Sequence, residues 1–210
     1  MKLGGVRLVV VTDRRLVPAG AMAGRLAAIL DGVARGAALV QVREKDLDGG
    51  ALYRLVSDVI AVARPRGARV LVNDRLDVAL AAGADGVHLP EAGLDVATAR
   101  AIGGAGLVVG CSRHSPAAAG AAAAEGADLV VLGPIWATPS KEGVVAPLGV
   151  DALAAARAAV GDRALLCAIG GVDGGAHGAA ARAAGADAVA AIRALWLAGD
   201  PGAAAAALAG

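Results

Sequence analysis

The sequence predicts an α/β fold in a single domain, a (β/α)8 barrel of the TIM class that spans residues 1–210. Short apolar runs of strand length alternate along the chain with longer, Ala-rich segments of helical pattern. Most of the short runs are continuously apolar, as expected for parallel strands that are covered on both faces. A chain of 210 residues is also long enough to form one compact barrel.

Eight apolar runs are the candidate strands, in chain order Leu8–Thr12, Ala38–Val42, Val70–Asn73, Gly86–Leu89, Leu107–Cys111, Leu129–Leu132, Ala164–Ile169 and Ala188–Ile192. Helical patterns lie between them, among them Met22–Arg35, Ala51–Ala63, Val96–Ile102, Pro116–Glu125, Val150–Val160 and Gly175–Ala184. Alternation of strands and helices at this spacing predicts right-handed crossovers and a parallel sheet. Eight such units can close into a barrel.

A repeated tripeptide supports a fold that is built from similar units. Gly-Ala-Asp precedes three candidate strands, at 83–85, 126–128 and 185–187. A Gly in this place ends the preceding helix, and the turn then leads into the next strand. The alternative fold is an open, doubly wound sheet, but no Gly-x-Gly-x-x-Gly follows the first strand.

The composition argues against nucleic acid and membranes as partners. The formal net charge of +1 does not suggest an anionic partner, and with Phe absent and one Tyr the chain offers no aromatic platform for stacking bases. Mean hydropathy is +0.64, but no stretch of about 18 strongly apolar residues occurs. The N-terminus lacks the pattern of a signal peptide, so we expect a cytoplasmic protein. Cys111 and Cys167 lie in apolar runs, which predicts buried free thiols rather than a disulfide.

Polar residues concentrate where the candidate strands end, and in a barrel the active site lies at that end. Gln41, Arg43 and Lys45 alternate along an extended segment after the second strand, so they share one face. One amide and two cations on one face suit a diphosphate. The alternative is an ordinary strand with one solvated face.

Two loops on the later strands suggest phosphate binding. Thr138, Ser140 and Lys141 follow the sixth strand, and two hydroxyls with one ammonium suit a phosphate group. Gly170 and Gly171 would let backbone amides approach an oxyanion after the seventh strand. A solvated connection and an ordinary turn are the respective alternatives.

Asp74 follows Asn73 at the end of the third strand. Its carboxylate either caps the next helix or holds Mg²⁺ together with diphosphate oxygens. His88 lies within a strand and is expected to pack there, whereas His114 is expected to orient a loop. Neither histidine is assigned a proton-transfer role.

Five motifs resemble the thiamine phosphate synthase family: QVREKD at 41–46, VNDRLDVALAAGADGVHL at 72–89, VGCSRHS at 109–115, LGPIWATPSKEG at 132–143 and AIGGV at 168–172. The resemblance implies a barrel that joins hydroxymethylpyrimidine diphosphate to thiazole phosphate. It also implies that diphosphate leaves with Mg²⁺ bound to it, and that the thiazole nitrogen attacks the resulting pyrimidine cation.

The resemblance places the diphosphate ligands at Gln41, Arg43, Lys45, Asn73, Ser112 and Lys141, the thiazole-phosphate contacts at Thr138, Ser140 and Gly170, and one metal ligand at Asp74. Gly171 and Arg193 complete the expected substrate-binding set. Arg43, Lys45, Ser112 and Lys141 are expected to act directly in catalysis. The implied partners are small phosphorylated molecules, and a homodimer is left open.

The sequence departs from the family pattern at two positions. Gly93 stands where the family has a second metal carboxylate, with Glu91 and Asp95 close by in sequence. Arg193 stands where the family has a Ser.

Two alternative functions therefore stay open. The segments CSRHS and HLPEAGL resemble the thiazole tautomerase paralogues, although Pro134 replaces their His and Asp74 is present. A non-catalytic regulator that binds phosphorylated ligands on the same barrel is the other alternative.

Overall fold

The computed structural model describes residues 3–138 and 146–210 and confirms the predicted barrel. Eight parallel strands pair in sequence order, and β8 pairs with β1 to close the sheet. The strands are β1 Leu8–Val11, β2 Ala38–Val42, β3 Arg69–Asn73, β4 Gly86–Leu89, β5 Val108–Arg113, β6 Leu129–Leu132, β7 Leu165–Ile169 and β8 Ala188–Ala191. The order follows from the alternating sequence pattern, because each helix returns the chain to the same end of the sheet.

Helices surround the barrel on its outer side. Those in the described residues are α1 Met22–Asp31, α2 Gly49–Ala63, α3 Leu76–Ala81, α4 Val96–Gly103, α5 Pro116–Ala124, α6 Asp151–Val160, α7 Gly175–Ala183, α8 Arg193–Trp196 and α9 Pro201–Ala209. Among these residues, no helix is both long enough and apolar enough to cross a bilayer.

The core consists of two aliphatic layers, because successive side chains of a strand point to opposite faces. Residues such as Val10, Val40 and Val72 pack outward against the helices. Leu39 and Leu71 belong to the second layer, which fills the inside of the barrel. The core therefore contains the strand residues that the continuous apolar runs predicted.

Each Asp of the repeated Gly-Ala-Asp tripeptide anchors its own strand to the preceding one. Its Oδ2 accepts a hydrogen bond from a backbone N–H near the start of that preceding strand. The bonds join Asp85 to Val70 at 2.8 Å, Asp128 to Val109 at 2.9 Å, and Asp187 to Leu166 at 2.8 Å. The repeat is thus a structural device of the barrel, at the end away from the candidate site.

Two boundaries differ clearly from the sequence-based prediction. β5 extends to Arg113, so Ser112 belongs to the strand itself. α1 ends at Asp31 rather than Arg35, because the backbone of Gly32 packs directly against α9. A Cβ atom at Gly32 would lie 2.1 Å from the carbonyl oxygen of Gly202. Cys111 and Cys167 are buried free thiols, as predicted.

Candidate active site

Gln41 and Asn73 meet at the ends of β2 and β3. Gln41 is buried, and its Nε2 donates a hydrogen bond of 3.2 Å to Oδ1 of Asn73. This bond uses one N–H of the Gln41 amide and the carbonyl oxygen of the Asn73 side chain, so the Asn73 NH₂ group takes no part in it. Two of the predicted diphosphate ligands therefore lie side by side.

His88 and Ser112 form the next pair, on β4 and β5. His88 is 1% exposed, and its Nε2 lies 2.8 Å from Oγ of Ser112. Burial, with added repulsion from Arg113 and Arg43, lowers the pKa of His88 to about 3. His88 is therefore a neutral ring that fixes Ser112, which agrees with the prediction that it packs within the strand.

Gly110 provides the space for the His88 ring. A Cβ atom at Gly110 would lie 2.9 Å from Nδ1 of His88 and 3.3 Å from side-chain atoms of Leu71 and Leu129. A larger residue would therefore displace the histidine from Ser112. No local pattern in the sequence marks this glycine.

Arg43 and Lys45, the two cations predicted to bind diphosphate, follow the end of β2. Val42 and Glu44 are buried, whereas Arg43 and Lys45 are exposed. The extended segment is shorter than predicted, because β2 ends at Val42 and Lys45 lies in a turn. Among residues 3–138 and 146–210, the side chains of Arg43 and Lys45 have no hydrogen-bonding or ion-pair partner. Both cations are thus available to an anion at the barrel mouth.

Arg113 is a cation at this mouth that the sequence analysis did not assign. It ends β5, is half-buried and donates from Nη1 to the carbonyl oxygen of Ser112 at 2.8 Å. Together with Arg43 it acts electrostatically on His88. Its position directly after Ser112, at a strand end, was the signal that could have identified it.

Asp74 does not cap the next helix. The N-cap position of α3 is Arg75, and no side chain caps that helix. Asp74 has φ 65°, and no other non-glycine residue in the described part of the chain has a positive φ. Its Oδ1 lies 3.2 Å from the point where a Cβ atom at Gly93 would stand. The carboxylate and the position of the missing family carboxylate are therefore adjacent.

The two acids near Gly93 have other contacts. Asp95 caps α4 by accepting from the Thr98 amide, and this hydrogen bond lowers the pKa of Asp95. Glu91 lies 3.9 Å from Nε2 of His114, whose Nδ1 contacts the carbonyl oxygen of Gly133. His114 was expected to orient a loop, and it contacts two, those after β4 and β6. Neither acid is held beside Asp74.

The loop after β6 packs against the end of β7. Ile135 and Trp136 donate backbone hydrogen bonds to Ile169 and Gly170, at 2.8 and 3.0 Å. A Cβ atom at Gly170, where φ is 93°, would lie 2.6 Å from Cα of Pro134. Close packing of this loop is therefore one reason why glycine occurs here.

The structure describes only some of the substrate-binding residues that were predicted after β6, β7 and β8. Gly171 also lies against this loop, because its Cβ would meet the carbonyl oxygen of Ala137 at 2.6 Å. Thr138 is half-buried, and Arg193 is exposed at the start of α8. Ser140 and Lys141 lie outside the described residues, so their predicted roles stay predictions.

The inner wall of the barrel is divided into two halves. The polar half comprises the inward residues at the ends of β2 to β5, namely Gln41, Asn73, His88 and Ser112. The apolar half comprises inward residues of β6, β7, β8 and β1, including Val131, Cys167, Ala190 and Val11. Burial raises the pKa of the Cys167 thiol, which keeps it protonated.

Comparison with known proteins identifies the family. The family model described as thiamine monophosphate synthase matches residues 8–195. The chain belongs to this family. A thiamine-phosphate synthase of Methanoculleus marisnigri is 48% identical over 172 residues, covering 82% of this chain and 80% of the relative. One from Anaeromyxobacter dehalogenans is 47% identical over 171 residues, covering 81% of this chain and 75% of the relative.

A solved structure agrees with both the fold and the family. The thiamine phosphate pyrophosphorylase from Pyrococcus furiosus superposes with a TM-score of 0.84 and 28% identity, covering 99% of this chain and 96% of that chain. The family that the five motifs predicted is thereby confirmed.

Proposed function

We propose that this chain is a thiamine phosphate synthase, which joins hydroxymethylpyrimidine diphosphate to thiazole phosphate and releases diphosphate. The observation that carries the proposal is the division of the barrel mouth. Hydrogen-bonding side chains on four consecutive strands lie beside two cations that have no side-chain partner among the described residues, and the opposite wall is apolar. Family membership supports the same reaction.

The polar half binds the diphosphate. Arg43 and Lys45 supply positive charge, and Gln41, Asn73 and Ser112 supply hydrogen bonds. Charge-assisted hydrogen bonds of this kind are about twice as strong as neutral ones. Because negative charge accumulates on the leaving diphosphate as its bond to the pyrimidine methylene breaks, these contacts strengthen in the transition state.

The reaction needs little proton transfer. The C–O bond breaks with its electron pair on the diphosphate, and the thiazole nitrogen then donates its lone pair to the methylene carbon. A neutral, buried His88 suits this chemistry, since it orients Ser112 without adding a competing charge.

The apolar half protects the cation that forms. Aliphatic side chains exclude water, which would otherwise capture the carbocation. Cys167 is the nucleophilic atom in this wall, but its raised pKa keeps it a thiol, which is a poor nucleophile. Thiazole nitrogen is thus the nucleophile that the site favours.

The residues present fit a Mg²⁺ ion that is held largely by its substrate. In the described ranges, no group of three or more His, Cys, Asp and Glu side chains is arranged to hold a metal. Asp74 offers one carboxylate at the edge of the polar half. Mg²⁺ commonly binds through one or two carboxylates, substrate phosphates and waters. When bound, the ion would neutralise charge on the leaving diphosphate.

A product assay tests the function. Purified protein is mixed with both phosphorylated substrates and Mg²⁺, and thiamine phosphate and diphosphate are quantified. We expect both products in equal amounts, and neither when one substrate is omitted. Isomerisation of thiazole carboxylate phosphate without metal would instead identify a tautomerase. Binding of the pyrimidine diphosphate without turnover would identify a regulator. The homodimer and the cytoplasmic location stay predictions.

A further inference from the structure

The segment that carries Arg43 and Lys45 is held by residues that have no role in the proposed chemistry. It follows β2 and belongs to neither a strand nor a helix. Its first amide, that of Arg43, donates to Oγ1 of the fully buried Thr12 at 2.9 Å. The segment is therefore fixed to the end of β1 at its beginning.

Glu44 provides the second attachment. Its side chain is 2% exposed, and its two carboxylate oxygens accept from the backbone N–H and from Nη1 of Arg14, each at 2.9 Å. A buried carboxylate needs such partners, because an unpaired charge at this depth would be costly. The pairing also shields a bound anion from the negative charge of Glu44.

Asp46 provides the third attachment, on the other side of Lys45. Arg14 binds it with both terminal nitrogens, Nη1 to Oδ1 and Nη2 to Oδ2, each at 2.7 Å. The contact with Arg14 lowers the pKa of Asp46 to about 2, so the carboxylate stays charged. A single guanidinium therefore clamps the residues on both sides of Lys45.

We propose that Arg14 is a positioning residue that holds Arg43 and Lys45 in place for the diphosphate. Lys45 and Asp46 form a turn after the end of the strand. Because Arg14 binds Glu44 and Asp46, on either side of Lys45, the backbone that carries Arg43 and Lys45 is held in place while both of their side chains stay exposed. Only the planar, forked guanidinium can bind two carboxylates in this way, and a lysine cannot. The inference rests on the proposed function.

The test measures binding of inorganic diphosphate with Mg²⁺ by calorimetry, which does not depend on turnover. The variant is Arg14→Lys, which keeps the positive charge but lacks the two terminal nitrogens of the guanidinium. We expect diphosphate affinity to fall by about fivefold or more, with the KM for thiazole phosphate unchanged. Asp46→Asn is the second variant in case Arg14→Lys does not fold. It removes the outer half of the clamp at an exposed position.

Arg66→Lys is the matched control. Arg66 donates from Nε and Nη2 to the two carboxylate oxygens of Asp31, at 2.8 and 3.2 Å, at the opposite end of the barrel. It should lose one surface ion pair and leave diphosphate affinity unchanged. If the role of Arg14 were purely structural, Arg14→Lys would lower Tm and, like Arg66→Lys, leave diphosphate affinity unchanged.

Adding Arg14→Lys to a double variant of the two cations decides whether Arg14 acts through them. If it does, Arg14→Lys should have little further effect when Arg43 and Lys45 are both replaced by Ala. An additive loss in that background, or unchanged diphosphate affinity in both clamp variants, would overturn the positioning role. Parental protein that binds no diphosphate would refute the proposed function itself, and the clamp proposal with it.

Discussion

His88 shows how strongly burial alone determines the chemistry of a side chain here. It lies in the barrel interior, where its Nε2 is hydrogen-bonded with Oγ of Ser112, and its lowered pKa of about 3 keeps it neutral. Unfolded His titrates near 6.5. Between these values the unfolded state binds a proton that the folded state does not. His88 therefore costs stability as the pH falls from 6.5 toward 3, and has no such effect above 6.5.

We predict that His88→Gln makes stability less sensitive to acid. The free energy of unfolding, measured with urea at pH 4 to 8, should fall less steeply in the variant below pH 6.5. The difference in slope should approach about 1.4 kcal/mol per pH unit. Carboxylates with lowered pKa, such as Asp13 and Asp46, contribute equally to both proteins. Identical slopes at pH 4 to 6 would mean that His88 is protonated in the fold.

The cations after β2 give the second prediction. Arg43→Ala or Lys45→Ala should raise the KM for the pyrimidine diphosphate, or lower kcat, by at least about tenfold, since a charge-assisted contact is worth about 1.5–3 kcal/mol. Steady-state kinetics measure the effect. Arg69→Ala is the control, because Arg69 starts β3 at the far end of the barrel. Near-parental kinetics in both variants would remove these cations from the site.

Asp74 and Gly93 give the third prediction, which concerns Mg²⁺. Asp74→Ala should nearly abolish synthesis. Gly93→Asp should lower the Mg²⁺ concentration for half-maximal rate by about tenfold, because the number of charged ligands sets affinity. The φ of Gly93 lies outside the left-handed region, but the new Cβ would lie 2.9 Å from the Pro90 ring, which must shift, so circular dichroism and Tm are checked first.

The neutral variant Gly93→Asn is the matched control for that experiment, since it has the same shape without the charge. Asn should leave the Mg²⁺ dependence near that of the parent. If Asp and Asn at this position behave alike, charge at residue 93 does not reach the metal. Full activity in Asp74→Ala would show that the proposed metal site is misplaced.

At the scale of elements, the close approach of β4 and β5 shapes the polar half. We predict that Gly110→Ala displaces the His88 ring and weakens diphosphate binding, because the added methyl would stand 2.9 Å from Nδ1. It should also cost about 1–3 kcal/mol of stability through overpacking. Calorimetric titration and urea unfolding measure the two effects.

Gly24→Ala is the control for that substitution. Gly24 lies within α1, and nothing stands within 4 Å of its added Cβ. It should stabilise the protein by about 0.5–1 kcal/mol, because Ala favours helix more than Gly does. If Gly110→Ala were equally stabilising, the space beside His88 would be larger than the structure indicates.

The elements themselves were largely predictable, because local pattern determines them. Continuous apolar runs gave all eight strands, and the Gly of each Gly-Ala-Asp tripeptide ended a helix as expected. The end of α1 was missed because it depends on Gly202, which is 170 residues away in the sequence, so that no local signal marks it. α9, Pro201–Ala209, was missed because its nearly pure Ala sequence has no amphipathic pattern.

At the scale of the whole molecule, strand order brings together the predicted site residues of β2 to β5. The ends of β2 to β5 are distant in sequence yet adjacent in the barrel, and this places Gln41, Asn73 and Ser112 in one half of the mouth. Gln41 could be predicted because the active site of a barrel lies at a known end, whereas Asn73 and Ser112 were assigned by the family resemblance. It could not predict the contacts of Asp95, Glu91 and Arg14, which depend on how loops from different units meet.

A crystal structure with thiamine phosphate, diphosphate and Mg²⁺ tests the central claim most directly. The account predicts diphosphate at the ends of β2 to β5, in contact with Arg43 and Ser112 and with the metal beside Asp74. The pyrimidine ring should then lie toward the apolar half, near Val131. Diphosphate bound at the apolar half, or outside the barrel mouth, would contradict the account.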